Sequence, residues 1–502
     1  MQQTQLTQRP AGVNAHTLPS ETYVPQTMPR LLGQFDMIAL STLALFWISN
    51  VTGVVIGGAA GFTYWIIGIV FFFLPCTLIC AQLSKVYDHE GSIYNWTTRA
   101  LGPFWGFFVG LCTWLPGIVS VVSAVDVIMS CLQTLHQNWL TQPWQQGLLI
   151  IGIILIVGLI SSQNVKTIQY LVNSVFFSTS LLVGLVVLAT VVWLLKGHPS
   201  ATNFSTLSGW LPQGGGPETN NFALLGTVTL ALLGTTGPLT MLNEVKEKAS
   251  MTRALLWGAA LVIVAYIVCT IGLLVVQGPS AALNAPNAVV LVMSTVTSSL
   301  GPVAGTIAYV CLMLFFFVVA VVYNCAYARL LLVASIDRQL PLRLAKLGRS
   351  RTPLTAIWVG TLFAIIIVAV IFFVVPLFTA FGNPQVLNSD AYLITAAGLL
   401  LVWAFSFLFP FIDFCVLYRR SPLSFQGRLL LPLPILLLCC IAGPVVCLLT
   451  IVDTIANSFA PALIANGQWT IFVLTFMVGS LFICGMASMV ASAQATFEHF
   501  GN

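Results

Sequence analysis

Long stretches without charge limit what this chain can fold into. Between Asp36 and Lys85 there is no Lys, Arg, Asp or Glu, which leaves room for two membrane-spanning helices of about 20 residues each. Of all residues, 58% are hydrophobic and only 6% are charged, unlike an ordinary soluble domain. A β-barrel is excluded, because its strands show only about ten residues of alternating polarity. The sequence therefore predicts an all-α integral membrane protein.

Twelve such stretches follow one another along the chain. Lys and Arg are retained on the cytoplasmic side of membrane proteins, and with the N-terminus inside, all 18 except Lys196 lie at cytoplasmic ends or loops. The pattern predicts an even number of spans, both termini in the cytoplasm and a multi-pass protein of the plasma membrane. The predicted spans, numbered 1 to 12 below, are residues 34–59, 63–84, 104–133, 145–162, 168–195, 222–244, 252–277, 301–335, 353–376, 390–418, 428–453 and 468–494.

The segments outside the spans carry few functional signals. Residues 1–30 are rich in Gln, Thr and Pro and lack the apolar core of a cleaved signal peptide, so we expect a disordered cytoplasmic tail there. Residues 196–221 are predicted to be an extracellular loop. The net charge of +5 follows from the topology and indicates no nucleic-acid partner. All twelve cysteines lie in predicted spans without metal-ligand spacing, so neither a metal nor a cofactor is predicted.

Span 6 contains a run that a regular helix cannot sustain. In Gly234-Thr235-Thr236-Gly237-Pro238, the proline lacks an N–H donor and both glycines ease departure from helical geometry. Inside a membrane the freed backbone groups are tolerated only where other protein or a polar cavity satisfies them. The alternative is a proline kink packed against small residues, without a functional role.

Span 1 has a similar interruption, at Ser49, Asn50, Thr52 and Gly53. Spans 1 and 6 are five apart, as expected if two inverted halves of five helices each begin with a discontinuous helix. The N-terminus of a half-helix offers unpaired N–H groups to a carboxylate, and unwound carbonyls accept from an ammonium. The two breaks are therefore a candidate site for a small zwitterion.

Two segments carry a family resemblance. Residues 88–110, DHEGSIYNWTTRALGPFWGFFVG, and residues 327–353, YARLLLVASIDRQLPLRLAKLGRSRTP, resemble the amino acid-polyamine-organocation superfamily of transporters. The resemblance implies a LeuT-type fold of two inverted five-helix repeats with discontinuous helices 1 and 6. It assigns residues 31–195 to the first repeat, 222–420 to the second, and 421–502 to spans 11 and 12 with a short cytoplasmic C-terminus. It also implies transport of amino acids or related amines.

Residues 234–245, GTTGPLTMLNEV, are similar to the glutamate/GABA antiporter branch, which has an Asn-Glu pair at the positions of Asn243 and Glu244. Two features depart from the superfamily pattern. Many members carry Gly-x-Glu where this chain has Gly234-Thr235-Thr236, and the tandem glycine after span 2 is Gly91-Ser92. The missing carboxylate argues against a doubly charged cationic substrate, and it puts in doubt any gating or proton-coupling role that this acid has in relatives.

The candidate residues divide into a binding set and a gating or coupling set. Tyr323 and Asn324 join the binding set because span 8 lines the cavity in relatives. The binding candidates are Ser49, Asn50, Thr52, Gly53, Gly234, Thr235, Thr236, Gly237, Tyr323 and Asn324; the gating or coupling candidates are Trp114, Asp126, Trp403 and Glu244.

Each gating candidate has an alternative interpretation. Asp126 lies within span 3 and can contact an ammonium or carry a coupled proton, or it can hydrogen-bond a neighbouring helix. Glu244 can be an ordinary interfacial charge near a helix end. Asp413 is not a gating candidate; because Arg419 and Arg420 follow it closely, we expect it to be part of a cytoplasmic cluster. Trp114 and Trp403 can be walls of the site or interfacial rings.

Other transporter and membrane-protein classes fit less well. The loop at residues 245–251 is too short for the long central loop usual in the major facilitator superfamily, and a channel needs a continuous polar lining. Neither a catalytic constellation nor a GxxxxGK[ST] phosphate-binding loop is present. The sequence predicts a secondary amino-acid permease or antiporter that is not an enzyme. Alternatives are a proton-coupled symporter of amines or polyamines and a non-transporting sensor of the same fold.

Overall fold

The computed structural model describes residues 18–136, 139–213, 221–284, 288–378, 384–458 and 464–500. The described residues are helical apart from connecting segments and one isolated bridge between Leu32 and Val245. The first half contains α1 (Pro19–Thr27), α2 (Gln34–Leu45), α3 (Ile48–Val55), α4 (Ala60–Gly68), α5 (Leu74–Val86), α6 (Ile93–Leu101), α7 (Pro103–Leu135), α8 (Pro143–Ser161) and α9 (Val165–Leu195), with a π-helical turn, Ile69–Phe73, between α4 and α5.

The second half begins after a short 3-10 turn, Leu207–Trp210. It contains α10 (Ala223–Ala231), a 3-10 half-helix (Pro238–Glu244), α11 (Lys248–Val276), α12 (Gly278–Asn284), α13 (Ala288–Leu300), α14 (Pro302–Ile336), α15 (Leu354–Ala369), α16 (Pro384–Ser406), α17 (Phe409–Arg420), α18 (Pro422–Phe425), α19 (Leu433–Ala456) and α20 (Asn466–Phe500). Shorter turns lie at Leu342–Ala345, Val370–Val374 and Val375–Leu377.

Eleven segments of the described residues are long and apolar enough to cross a membrane. These eleven segments coincide with eleven of the twelve predicted spans. The exception is span 6, which is divided into two short helices and therefore contains no continuous helix long enough to cross a membrane. Helices α6, α12, α13 and α18 were not predicted, because they lie between the spans. The all-helical membrane fold is confirmed.

The N-terminal segment is more ordered than the sequence suggested. Of the predicted disordered tail, residues 18–30 are described, and Pro19–Thr27 form α1. Pro19 suits the first helical position, and the Glu21 carboxylate accepts a hydrogen bond from Leu18 N at 3.3 Å. Val24 and Met28 are buried. Because the segment offers so few apolar residues for burial, local composition did not reveal the helix.

Both predicted helix breaks are present, one of them displaced. In span 6, α10 ends at Ala231 and the half-helix begins at Pro238. In span 1, the break lies at Phe46 and Trp47, both extended, and not at residues 49–53, which belong to α3. At this break Trp47 N donates a hydrogen bond to the hydroxyl of Tyr266 in α11. The local sequence does not reveal such a long-range contact.

Glycines let α3, which follows the first break, and α10, which precedes the second break, approach each other closely. A Cβ added to Gly57, in the turn after α3, would come within 2.1 Å of Leu224 Cδ1 in α10, and one on Gly53 of α3 would come within 3.3 Å of Thr227 Cγ2. Side chains at these positions would push α3 away from α10. The half-helices after the first break and before the second therefore pack against each other, which brings the two breaks together.

Candidate functional site

The Tyr266 hydroxyl connects the two helix breaks. This fully buried residue of α11 accepts a hydrogen bond from Trp47 N at 3.0 Å. Its own hydrogen can be donated to Leu45 O, at 3.1 Å, or to Ala231 O, at 3.2 Å. A hydroxyl has one hydrogen to donate, so it serves one of these carbonyls at a time. The freed backbone of span 1 and that of span 6 thus both lie within hydrogen-bonding distance of one oxygen atom.

Gly234 brings the span 6 break against the span 1 break. Its φ of +116° is a conformation that side chains rarely adopt. A Cβ at this position would lie 3.4 Å from both Ala44 O and the Tyr323 hydroxyl. Tyr323 itself donates to Ala44 O at 2.7 Å. The predicted binding residue Tyr323 is therefore at the breaks, where it satisfies a freed carbonyl.

Buried polar atoms without partners surround the other side of the span 6 break. Among the described residues, the hydroxyls of Thr236 and Tyr327 and the Trp403 Nε1 atom make no hydrogen bond. The Tyr327 ring centroid lies 6.3 Å from that of Trp403, and the Tyr327 hydroxyl lies 3.7 Å from the position of a Gly237 Cβ. Leaving such groups unsatisfied costs about 1–3 kcal/mol each. These three atoms are candidates for hydrogen bonds to a polar ligand.

The predicted residues in α3 divide by environment. Ser49 and Asn50 occupy its first turn beside the break and are half-buried. The hydroxyl of Thr52 donates to Ser49 O at 2.7 Å within the same helix, and Gly53 faces Thr227. The first two lie where a half-helix N-terminus presents N–H groups, whereas the other two support helix packing.

Three further candidates lie elsewhere. The Asn324 amide donates to Thr361 Oγ1 of α15 at 3.1 Å, and the Trp114 ring packs against Phe363 of the same helix, with centroids 5.1 Å apart. Half-buried Asp126 lies nine residues before the end of α7 and is close to Tyr392 of α16. The contacts described for these side chains are with α15 and α16, not with the breaks. Thr235 is in the break and fully buried.

Glu244 lies in a buried ion pair. Arg329 donates from Nε and Nη2 to Glu244 Oε1 at 2.8 and 2.7 Å, and both side chains are at most 1% exposed. Interpreting Glu244 as an ordinary interfacial charge is therefore wrong. The reason is that the half-helix and α14 enclose both charges, which position along the chain did not show.

Asp413 is likewise not part of a cytoplasmic surface cluster. It is fully buried in α17 and accepts a hydrogen bond from Thr97 Oγ1 of α6 at 2.6 Å. Its position five residues before the end of predicted span 10 suggested exposure next to Arg419 and Arg420, but α6, which was not predicted, covers it. The correction has the same origin as that for Glu244: an unpredicted contact between elements.

Glu90, in the loop between α5 and α6, is a charged residue that sequence reasoning missed. It is 2% exposed, and its Oε2 accepts a hydrogen bond from Asn243 N at 3.3 Å. Burial, and next the negative charge of Glu244, raise the pKa of Glu90 to about 8, although Arg329 opposes the shift. Its place in the segment 88–110 was a usable signal. Tyr266 and Tyr327 were also missed, since a tyrosine in an apolar span gives no local sign of its partner.

Metal binding finds no support in the described part of the chain. It contains no group of three or more His, Cys, Asp or Glu side chains arranged to hold an ion. All twelve cysteines are free thiols. The polar features at the breaks are hydroxyls, indoles and backbone groups.

Comparisons with known proteins identify relatives that are named as transporters. An uncharacterised transporter of Legionella pneumophila is 24% identical over 47% of this chain and 50% of its own length. A probable agmatine/putrescine antiporter of Lactococcus lactis is 26% identical over 28% of this chain and 25% of its own. A probable polyamine transporter of Arabidopsis thaliana is 30% identical over 19% and 21%. The chain thus spans half or less of the length of these curated relatives.

The family model has much wider coverage. The model described as amino acid permease matches residues 32–483, which include both breaks, the Glu90 loop and the buried ion pair. By this match the chain belongs to the amino acid permease family of the amino acid-polyamine-organocation superfamily.

Proposed function

We propose that the chain is a secondary active transporter that moves amino acids or related amines across the membrane by alternating access. The observation that carries the proposal is the meeting of two helix breaks beside buried polar atoms without partners, those of Thr236, Tyr327 and Trp403. Such sites in transporters bind substrate through half-helix ends and unwound backbone. The names of the Lactococcus and Arabidopsis relatives, which refer to agmatine, putrescine and polyamines, support the inclusion of amines.

The chemistry of the site fits a small ammonium compound. The aromatic faces of Tyr327 and Trp403 lie near the span 6 break, and aromatic faces attract cations by about 0.5–2 kcal/mol. The carbonyls freed by the breaks accept hydrogen bonds from an ammonium, and the first turn of α3 presents N–H groups to a carboxylate. The described residues at the breaks contain no acid or base. A zwitterion, whose charges are balanced by dipoles and by each other, therefore fits this site better than a doubly charged amine.

The same proposal includes the wider architecture. Helices α2 to α9 would form the first inverted repeat, residues 31–195, and α10 to α17 the second, residues 222–420, with spans 11 and 12 in residues 421–502. The protein would lie in the plasma membrane with both termini in the cytoplasm. In this structure the substrate site would be closed toward the cytoplasm. This is supported by the backbone of Leu31 and Leu32, whose N–H groups donate to Glu244 O at 2.8 and 2.9 Å and so join the start of span 1 to the end of span 6.

The test is transport by purified protein in proteoliposomes. Labelled amino acids, agmatine and putrescine are offered with and without the same unlabelled compound inside. Uptake that requires internal substrate supports antiport, and uptake driven by an imposed pH gradient alone supports proton symport. Absence of uptake for the whole panel, by protein that is folded and inserted, would refute the assignment and favour a sensor of the same fold.

A further inference from the structure

A buried charge cluster lies at the far end of the half-helix from the substrate site. It consists of Glu90, Glu244 and Arg329, each at most 2% exposed. Arg329 directs Nε and Nη2 to Glu244 Oε1 and Nη1 to Cys325 O at 2.5 Å. Among the described residues, Glu90 Oε1 and Glu244 Oε2 have no hydrogen-bond partner. The guanidinium thus faces one carboxylate, and a second carboxyl group remains.

The charges of the cluster do not balance if every group is ionised. Two carboxylates against one guanidinium leave one negative charge, and a buried unpaired charge costs several kcal/mol. Like charges that share a buried site also oppose each other's ionisation. The charged groups facing Glu90 from other elements are Glu244 of the half-helix and Arg329 of α14; Asp88 and His89 are its titratable neighbours in its own loop. One proton restores neutrality.

The cluster is mechanically connected to the substrate site. The half-helix begins at the span 6 break and ends at Glu244, and one loop holds both of its ends. Ser92 Oγ donates to Thr236 O at 3.4 Å at the break, and Glu90 accepts from Asn243 N at the other end. Movement of the half-helix away from this loop would separate Glu90 from Asn243 and admit water to the carboxylates.

We infer that Glu90, paired with Glu244, is a proton-binding site that is occupied when the cytoplasmic side is closed and releases its proton to the cytoplasm when that side opens. The proton binds a carboxylate oxygen as a carboxylic acid and leaves to water, so the site needs no other reactant. The coupling to substrate rests on the proposed transport function, whereas the proton site can be measured without transport.

Infrared spectroscopy of the purified protein tests the site directly. Wild type should show a protonated-carboxyl component at about pH 6 that is lost at about pH 10 and shifts in heavy water. Glu90→Gln should remove that component, because the substitution takes away either the proton carrier or the second charge. Exposed Glu247, three residues after Glu244, supplies the matched control Glu247→Gln, which should leave the band unchanged. A Glu90→Gln spectrum that titrates like wild type would overturn the inference.

Transport supplies the second test and separates the two proposals. In proteoliposomes that contain a pH-sensitive dye, movement of agmatine, putrescine or an amino acid by wild type should be accompanied by proton movement. Exchange by Glu90→Gln should lose its pH dependence between about pH 6 and about pH 9, while Glu247→Gln should keep it. Substrate movement without protons refutes proton coupling but not the transport proposal. If no compound is transported, transport is refuted, and the infrared result still decides the proton site.

Discussion

The Tyr266 hydroxyl lies 3.0 Å from Trp47 N, so a side chain of α11 supplies the acceptor for a backbone group at the break of span 1. The same hydroxyl is within hydrogen-bonding distance of Ala231 O, at the end of α10. One side chain thereby stabilises the unwound backbone of two helices. In a membrane interior, where water does not replace lost partners, this contact helps to fix the position of both breaks.

Replacing Tyr266 by Phe should therefore destabilise the protein. The ring remains, but Trp47 N and a carbonyl lose their partner, which costs about 1–3 kcal/mol. Thermal unfolding in detergent measures the effect as a lower melting temperature. The control is Tyr170→Phe, at a side chain 64% exposed on α9. Equal melting temperatures for the two variants would contradict this role of Tyr266.

Gly234→Ala should impair substrate exchange. The backbone conformation, with φ of +116°, disfavours any side chain, and a Cβ would lie 3.4 Å from Ala44 O. A displaced break loses the alignment of its carbonyls, and we expect at least about a tenfold loss of exchange, equivalent to about 1.4 kcal/mol. Gly184 of α9 has open space around its Cβ position, so Gly184→Ala should retain activity. Normal exchange by Gly234→Ala would exclude the break as the binding site.

Thr236→Val should weaken binding without weakening the fold. The Thr236 hydroxyl has no partner among the described residues, so its removal costs no internal hydrogen bond, and the unfolding free energy should stay the same or rise. A lost hydrogen bond to substrate predicts a rise in KM of roughly tenfold. Thr306→Val, at a hydroxyl bonded to Pro302 O on the exposed side of α14, is the control for transport. An unchanged KM for Thr236→Val would show that substrate does not use this hydroxyl.

Glu21→Ala should release the N-terminal helix α1. The carboxylate of Glu21 accepts from Arg99 Nε at 2.7 Å and from Asn95 Nδ2 at 3.0 Å. Loss of these contacts, at about 1–3 kcal/mol, should accelerate tryptic cleavage after Arg30 by at least about fivefold, because cleavage follows the population of the open form. Thr22→Ala, on the exposed side of α1, should cleave like wild type. If Glu21→Ala also cleaves like wild type, its contacts do not hold α1.

Stability should fall as the pH rises from about 4 to about 8. Burial raises the pKa of Asp337 to about 7, and burial with Glu244 raises that of Glu90 to about 8. The folded state therefore holds protons that the unfolded chain has already released in this window. The contribution of these groups is complete below the unfolded pKa values and is lost by about pH 8.

Melting temperatures across this pH range measure that slope. Asp337→Asn and Glu90→Gln should each make the decline shallower, because each removes one of the raised pKa values. Glu247→Gln keeps both carboxyl groups and should follow wild type. A decline that is equally steep in all three variants would show that other groups are responsible for it.

The sequence predicted best those features that depend on the residues of a single segment. Apolar length predicted eleven of the described spans, and Gly234 with Pro238 predicted the break of span 6, because backbone restrictions are properties of the residues themselves. The break of span 1 was displaced, since it depends on Tyr266 from a helix more than 200 residues away. The polar residues Ser49 to Gly53 can be identified from the sequence. The sequence does not show which backbone N–H and C=O groups lack helical hydrogen bonds, and the break that frees them lies at Phe46 and Trp47.

Burial of charge was the hardest property to predict. Glu244 and Arg329 lie near predicted cytoplasmic ends, where charges are expected at the surface, but the half-helix and α14 enclose both of them. Glu90 escaped notice for the same reason. A charged residue near a span end is usually exposed, and only the three-dimensional contacts of the loop between α5 and α6 reverse that expectation here.

A structure of the protein with a transported compound bound tests the central claim most directly. The account predicts density for the compound between the break at Gly234–Gly237 and the first turn of α3, with polar contacts to Thr236, Tyr327 or Trp403. Density for the compound at a site that touches neither break would contradict it.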